Sequence, residues 1–178
     1  MATVSPSGNT TAAVTYTPIA TNTLSSATST VTFSSITGTY KDLVLIINGG
    51  TSVNDSFANL TFNSDSGSNY SITRLVGNGT TASSGRSSNQ TRIFIGYDAA
   101  PNTAFQFNSI VNKMNYSNTT TYKTVLTRDN SPAGTSYPGA AANVGLWRST
   151  SAITTITLIS NTSNFISGST FSLYGIGA

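Results

Sequence analysis

The chain is 178 residues long and carries a formal net charge of +3, from eight Lys and Arg against five acidic groups, with no His and no Cys. All five acids are Asp, and the basic residues lie singly from Lys41 to Arg148, often beside an Asp, which excludes the clustered footprint of a nucleic-acid binder. Missing thiols exclude disulfides and thiolate metal sites, and the longest apolar run, Leu43 to Ile47, is far too short to span a bilayer.

Residues 1–13, MATVSPSGNTTAA, hold little apolar side chain and read as an extended N-terminal arm, with Val4 and Pro6 as its candidate attachment points. No charged n-region and apolar h-region follow Met1, so no secretory leader is expected. From residue 14 to 178 one β-sandwich body is expected. Its strand candidates are Val14–Ile19, Ser29–Ser35, Tyr40–Asn48, Asn59–Asn63, Tyr70–Val76, Thr91–Tyr97, Ala104–Asn115, Tyr122–Arg128, Ala142–Arg148, Ile153–Ile159 and Thr170–Ile176. Polar and apolar positions alternate in Thr30–Phe33 and Ile153–Leu158, as in half-buried antiparallel strands. Gly- and Asn-rich turns separate the runs. No stretch longer than eight residues carries the helical apolar spacing, and the Thr, Ser, Val and Ile content favours pleated backbone. Eight Phe, eight Tyr and recurring Val, Ile and Leu argue against disorder. Many short strands without helices predict an all-β fold, a jelly-roll-like antiparallel β-sandwich.

The final strand, in STFSLYGIGA, puts Phe171 and Leu173 on one face and Ser172, Tyr174 and Ile176 on the other. It is expected to be fully paired inside a sheet. Residues 77–90 (GNGTTASSGRSSNQ) and 129–141 (DNSPAGTSYPGAA) read instead as long irregular loops and candidate contact surfaces, bringing Arg86 and Tyr137 forward.

Catalytic chemistry finds little to build on. Without His or Cys the common nucleophile–base pairs cannot form, and no GxSxG elbow, P-loop or GxGxxG is present. Asp55 and Asp65 are the nearest carboxylate pair, each in a turn-like context that favours Asx turns over acid–base work. Asp65-Ser66-Gly67-Ser68-Asn69 has loose oxygen ligands but lacks the positions of a calcium loop, so a structural turn is favoured. No catalytic residue, metal or cofactor is therefore assigned. Nine Asn-x-Ser/Thr sequons occur where a chain about one-third Ser and Thr would yield roughly six by chance, and glycosylation needs a secretory route, so they are discarded. Trp147 with Arg148 has two readings: an exposed sugar-stacking platform, or a half-buried ring covering a sheet edge or subunit contact, the latter favoured. Tyr116 and Tyr122 are expected to pack across a hairpin rather than to form a platform.

Several segments occur in one order: TYTPIATNTL, VTFSSITGTYKDLVLI, GSNYSITRLVGNGTTASSGRSSNQT, MNYSNTTTYKTVLTR, VGLWRSTSAITTITL and FISGSTFSLYGI. Together, over roughly residues 14–176, they resemble a family of small β-rich virion proteins of tailed phages and prophages. The resemblance implies a non-enzymatic head-decoration, tail or fibre component, assembled in the host cytoplasm, with no catalytic residues to carry over. A single domain with a short arm favours capsid decoration or cement over a fibre, whose repetitive shaft is missing. The alternative is a tail or fibre module that binds a receptor or host-surface glycan. The expected partners are the chain itself, as a homo-oligomer and by family analogy a trimer, and the major capsid protein or tail proteins of the particle. Nucleic acid and membrane are not expected partners.

Overall fold

The structure, a computed structural model, describes residues 16–53, 56–96, 106–131 and 139–177. Twelve strands are seen among them: β1 Tyr16–Thr23, β2 Thr30–Phe33, β3 Asp42–Gly49, β4 Ala58–Phe62, β5 Tyr70–Gly77, β6 Ala82–Gln90, β7 Ile93–Ile95, β8 Phe107–Met114, β9 Lys123–Ser131, β10 Gly139–Trp147, β11 Ile156–Ser160 and β12 Thr170–Ile176. They form an eight-stranded sheet in the order β1-β12-β3-β8-β9-β10-β5-β6 and a four-stranded sheet in the order β2-β11-β4-β7. Every pairing is antiparallel. The chain passes repeatedly from one sheet to the other, so the expected all-β, jelly-roll-like sandwich is the observed fold.

The core lies between the sheets. Leu43, Leu45 and Ile47 of β3, Phe171 and Leu173 of β12, Val111 of β8 and Val125 of β9 meet Val31, Phe33, Leu60, Phe62, Ile156 and Leu158 of the small sheet. Burying each of the larger side chains contributes about 1.5–3 kcal/mol. Strand β12 sits between β1 and β3, with Phe171 and Leu173 buried as their spacing predicts. At Gly145 of β10 the two layers come so close that a Cβ would stand 2.7 Å from both Ile93 Cδ1 and Val125 Cγ2.

The two expected loops are shorter than the sequence suggests. Most of 77–90 is strand β6, hydrogen-bonded to β5 from Gly77↔Ala82 to Tyr70↔Gln90 with one register shift. An edge strand needs backbone pairing but little apolar side chain, which is why ASSGRSSNQ gave no strand signal. Likewise β9 runs on through Asp129, Asn130 and Ser131, and β10 begins at Gly139. The arm of residues 1–13, with Val4 and Pro6, lies outside the described residues, as does Tyr137.

Candidate functional site

Of the residues singled out from sequence, Trp147 requires a correction. It is no surface platform: it is 2 % exposed and faces the core. Its ring stacks on Tyr70 at 6.3 Å with a 14° interplanar angle and meets Phe62 at 5.5 Å. Its Nε1 donates to Asp65 Oδ2 at 2.6 Å. The same carboxylate accepts from Gly67 N at 2.8 Å and from Asn69 Nδ2 at 3.0 Å. Asp65 is thus the hub of an Asx turn, as expected, and its acceptor sites are taken by the protein itself. Burial pushes its carboxyl up, but the donors from Trp147, Asn69 and Gly67 outweigh this and hold it below the ordinary value.

Arg148 is also structural. Its Nη2 donates to the Ser68 carbonyl and, at 3.0 Å, to Asn89 Oδ1, tying the β4–β5 turn to the end of β6. Arg86 is exposed on β6, paired with Thr73 of β5. Trp147 and Arg148 therefore do not join Arg86 in one site. Tyr116 and Tyr122 do not pack across a hairpin either. Tyr116 is buried, donating to the Thr37 carbonyl and accepting from Tyr40 N at 3.3 Å, while Tyr122 is exposed.

Buried polar groups of the large sheet are bonded within the protein, whereas Asn59 Oδ1 on β4 has no partner among the described residues. Asp129 accepts from Ser109 Oγ, from Thr127 Oγ1 at 3.0 Å and from Asn143 Nδ2 at 2.6 Å. Burial nevertheless raises its carboxyl above the ordinary range, against these bonds and one from Gly96 N. Ser109 is itself wholly buried, so the cluster is a polar seam in the core rather than a site open to substrate. Lys113 and Lys123 also point inward. Lys123 Nζ donates to the Thr121 carbonyl at 2.8 Å and to that of Thr150 at 3.0 Å, and Lys113 Nζ to the carbonyl of Met114. Burial, with repulsion from Lys123, lowers the Lys113 ammonium to about 8, against an attraction from Asp42. Among the described residues no three His, Cys, Asp or Glu come together as a metal set.

The feature that stands out is the outward face of the eight-stranded sheet. Leu75 (60 % exposed), Met114 (59 %), Val144 (51 %) and Tyr16 (50 %) protrude from it, with Ile46 and Leu126 beside them. Cross-strand register places them on one surface. Val144 lies opposite Leu126 and Thr73, Leu75 opposite Ala142, and Ile46 opposite Ile110. The face holds two grooves. One, of about 650 Å³, is lined by Leu75, Gly77, Ile110 and Asn130 over Ala140 and Ala142. The second, of about 450 Å³, runs among Tyr16, Ile176, Met114 and Leu126 over Val44 and Asn112. Arg128 borders both. The first groove lies where segments 77–90 and 129–141 approach each other, so those two candidate contact segments do flank one surface. The face itself went unread in the sequence, although its signal was there. Ser71-Ile72-Thr73-Arg74-Leu75-Val76 and Asn143-Val144-Gly145-Leu146-Trp147 carry apolar residues in both phases of the alternation. Strands buried on one side alone do not need that.

Compared with protein-family models, curated proteins and solved structures, the chain matches none.

Proposed function

We propose that the chain is a non-enzymatic structural protein of a phage particle, a decoration or cement subunit on the capsid surface. The observation that carries this reading is the exposed apolar face of the large sheet. Contiguous apolar surface of that extent marks interaction sites rather than ordinary monomer surface. The ordered resemblance to β-rich virion proteins supplies the setting, and a surface poor in charge suits close packing among neighbours. The carboxylates of Asp129 and Asp65 and the buried lysines are bonded to the protein itself, which fits scaffolding better than catalysis.

A receptor- or glycan-binding module of the tail is the second reading. The groove over Ala140 and Ala142, with the amides of Asn108 and Asn130 at its side, favours it as a place where an apolar floor meets polar donors. The test is to label the tagged protein on purified particles and image them. Label over the capsid is expected. Label confined to the tail, together with glycan binding by the isolated protein, selects the second reading.

A further inference from the structure

We propose that the outer face of the eight-stranded sheet is covered by a second copy of this same chain. It would be the surface through which the structural subunit proposed above assembles, and so rests on that reading. Size is the first reason. Eight strands about 4.8 Å apart and roughly 25 Å long present on the order of 800 Å². A standard stable interface buries about that much per partner. Composition is the second. Interface cores are apolar and depleted of charge. Here Leu75, Val144, Leu126, Met114 and Tyr16 protrude, and the charged groups on the same side are few: Arg128 between the two grooves, Arg86 on β6 and Asp42 at the start of β3.

The third reason selects a copy of the chain over a foreign partner. Asn48, Asn108 and Asn130 lie opposite one another across β3, β8 and β9, forming a row of exposed amides on this face. Within it Asn108 Nδ2 donates to Asn130 Oδ1 at 3.4 Å, and the remaining donors and acceptors face outward. An amide both donates and accepts, so such a row can satisfy its own image across a symmetry axis. A row of like charges would repel its image. Shape agrees: grooves floored by Ala140 and Ala142, and by Val44 and Asn112, flank Arg128, and the protruding Leu75 and Met114 are knobs that such grooves accept. The face packing on itself gives a dimer.

Light scattering at high micromolar concentration tests this. The wild type is expected at about twice 18.4 kDa. Leu75→Lys combined with Val144→Lys, both on exposed positions, is expected to weaken association by at least about 100-fold, as charge is forced into an apolar contact, with melting preserved. Thr32→Lys, on the outer face of the small sheet, is expected to leave the oligomer intact. A monomeric wild type overturns the proposal, as does a double variant that remains oligomeric. So does an oligomer that forms only once residues 2–12 are removed, because the arm would then be covering the face of its own chain. A monomer that still labels particles overturns this proposal and leaves the virion reading standing. An oligomer that labels no particle does the reverse.

Discussion

The two sheets share one core but turn opposite chemistry outward. On the four-stranded sheet one outward row is Thr32, Thr157 and Thr61, in register across β2, β11 and β4, with Thr32 Oγ1 3.4 Å from Thr157 Oγ1, and the next is Thr30, Ile159, Asn59 and Phe94. On the eight-stranded sheet the corresponding rows are Val144, Leu126, Asn112 and Val44, and Leu75, Ala142, Arg128, Ile110 and Ile46. Both faces are pleated and antiparallel, so backbone geometry does not distinguish them. The side chains do: an exposed hydroxyl such as that of Thr32 needs no partner, while apolar side chains beside one another gain from one. The small sheet completes the fold; on the proposal above, the large sheet also offers a contact surface.

The largest effect should come from removing what both faces depend on. Deleting Thr170–Gly177 takes β12 from between β1 and β3 and strips Phe171 and Leu173 from the core. Those two side chains alone are worth about 3–6 kcal/mol, comparable to a whole domain's stability. No cooperative thermal transition by circular dichroism is expected. A truncated chain that melts near the wild-type temperature would show that neither face relies on this strand.

Next in size is the anchor beneath the large sheet. Trp147→Phe keeps most of the ring packing but leaves Asp65 Oδ2 without its 2.6 Å donor. A loss of about 1–3 kcal/mol in urea unfolding is expected. Because Asp65 is held below its ordinary value, its contribution is present above pH 3.8 and lost as pH falls through the folded value. The penalty of Trp147→Phe should therefore shrink in acid. An equal penalty at pH 7 and pH 2 would remove Asp65 from the account.

Trp147 also shows how much was legible beforehand. Period-2 spacing located β3, β8, β9 and β12 to within a few residues, and it oriented Phe171 correctly because Ser172 and Tyr174 are the more polar phase. In β10 the same rule misleads. It would turn Val144 and Leu146 inward, yet Asn143, Gly145 and Trp147 are the buried phase. Asn143 is bonded to Asp129 and Gly145 makes room for Ile93, so inward polarity and smallness are set by partners from β9 and β7. Such partners are unknown until register is known. Strand β6 was hidden for the opposite reason, since its pairing is all backbone and its side chains are polar. The apolar outer face could be read only after register had aligned Leu75, Ala142 and Ile110 from strands far apart in sequence.

A smaller effect follows from the inward lysines. Burial lowers Lys113 from 10.5 to about 8, and Lys123 is lowered too. Between these limits the unfolded chain binds more protons, so stability rises with pH. Tyr70, raised by burial to about 12, and Tyr116, also raised, contribute stability that is lost only as pH climbs well above 10. The melting temperature should therefore rise by a few degrees from about pH 8 to pH 10. Lys113→Met should flatten that rise. A wild-type profile that is level or falling across the window counts against a buried ammonium at this position.

The smallest effect is expected on the hydroxyl face itself. Thr32→Val with Thr157→Val removes a long hydrogen bond between exposed hydroxyls and replaces two β-branched residues with two others of equal or better strand propensity. Surface changes of this kind stay within about 0.5 kcal/mol. Urea midpoints should barely move, while the outer face of the small sheet acquires the apolar character of its counterpart. The useful readout is then association. Two neighbouring valines are far less than the contiguous patch of the large sheet, so the oligomer should keep its wild-type mass. If this pair alone produces higher assemblies, any apolar outer face of this sandwich suffices for association. The particular grooves and amide row of the large sheet would then lose their claim. A loss above about 1.5 kcal/mol would instead show the threonine row to be a structural ladder.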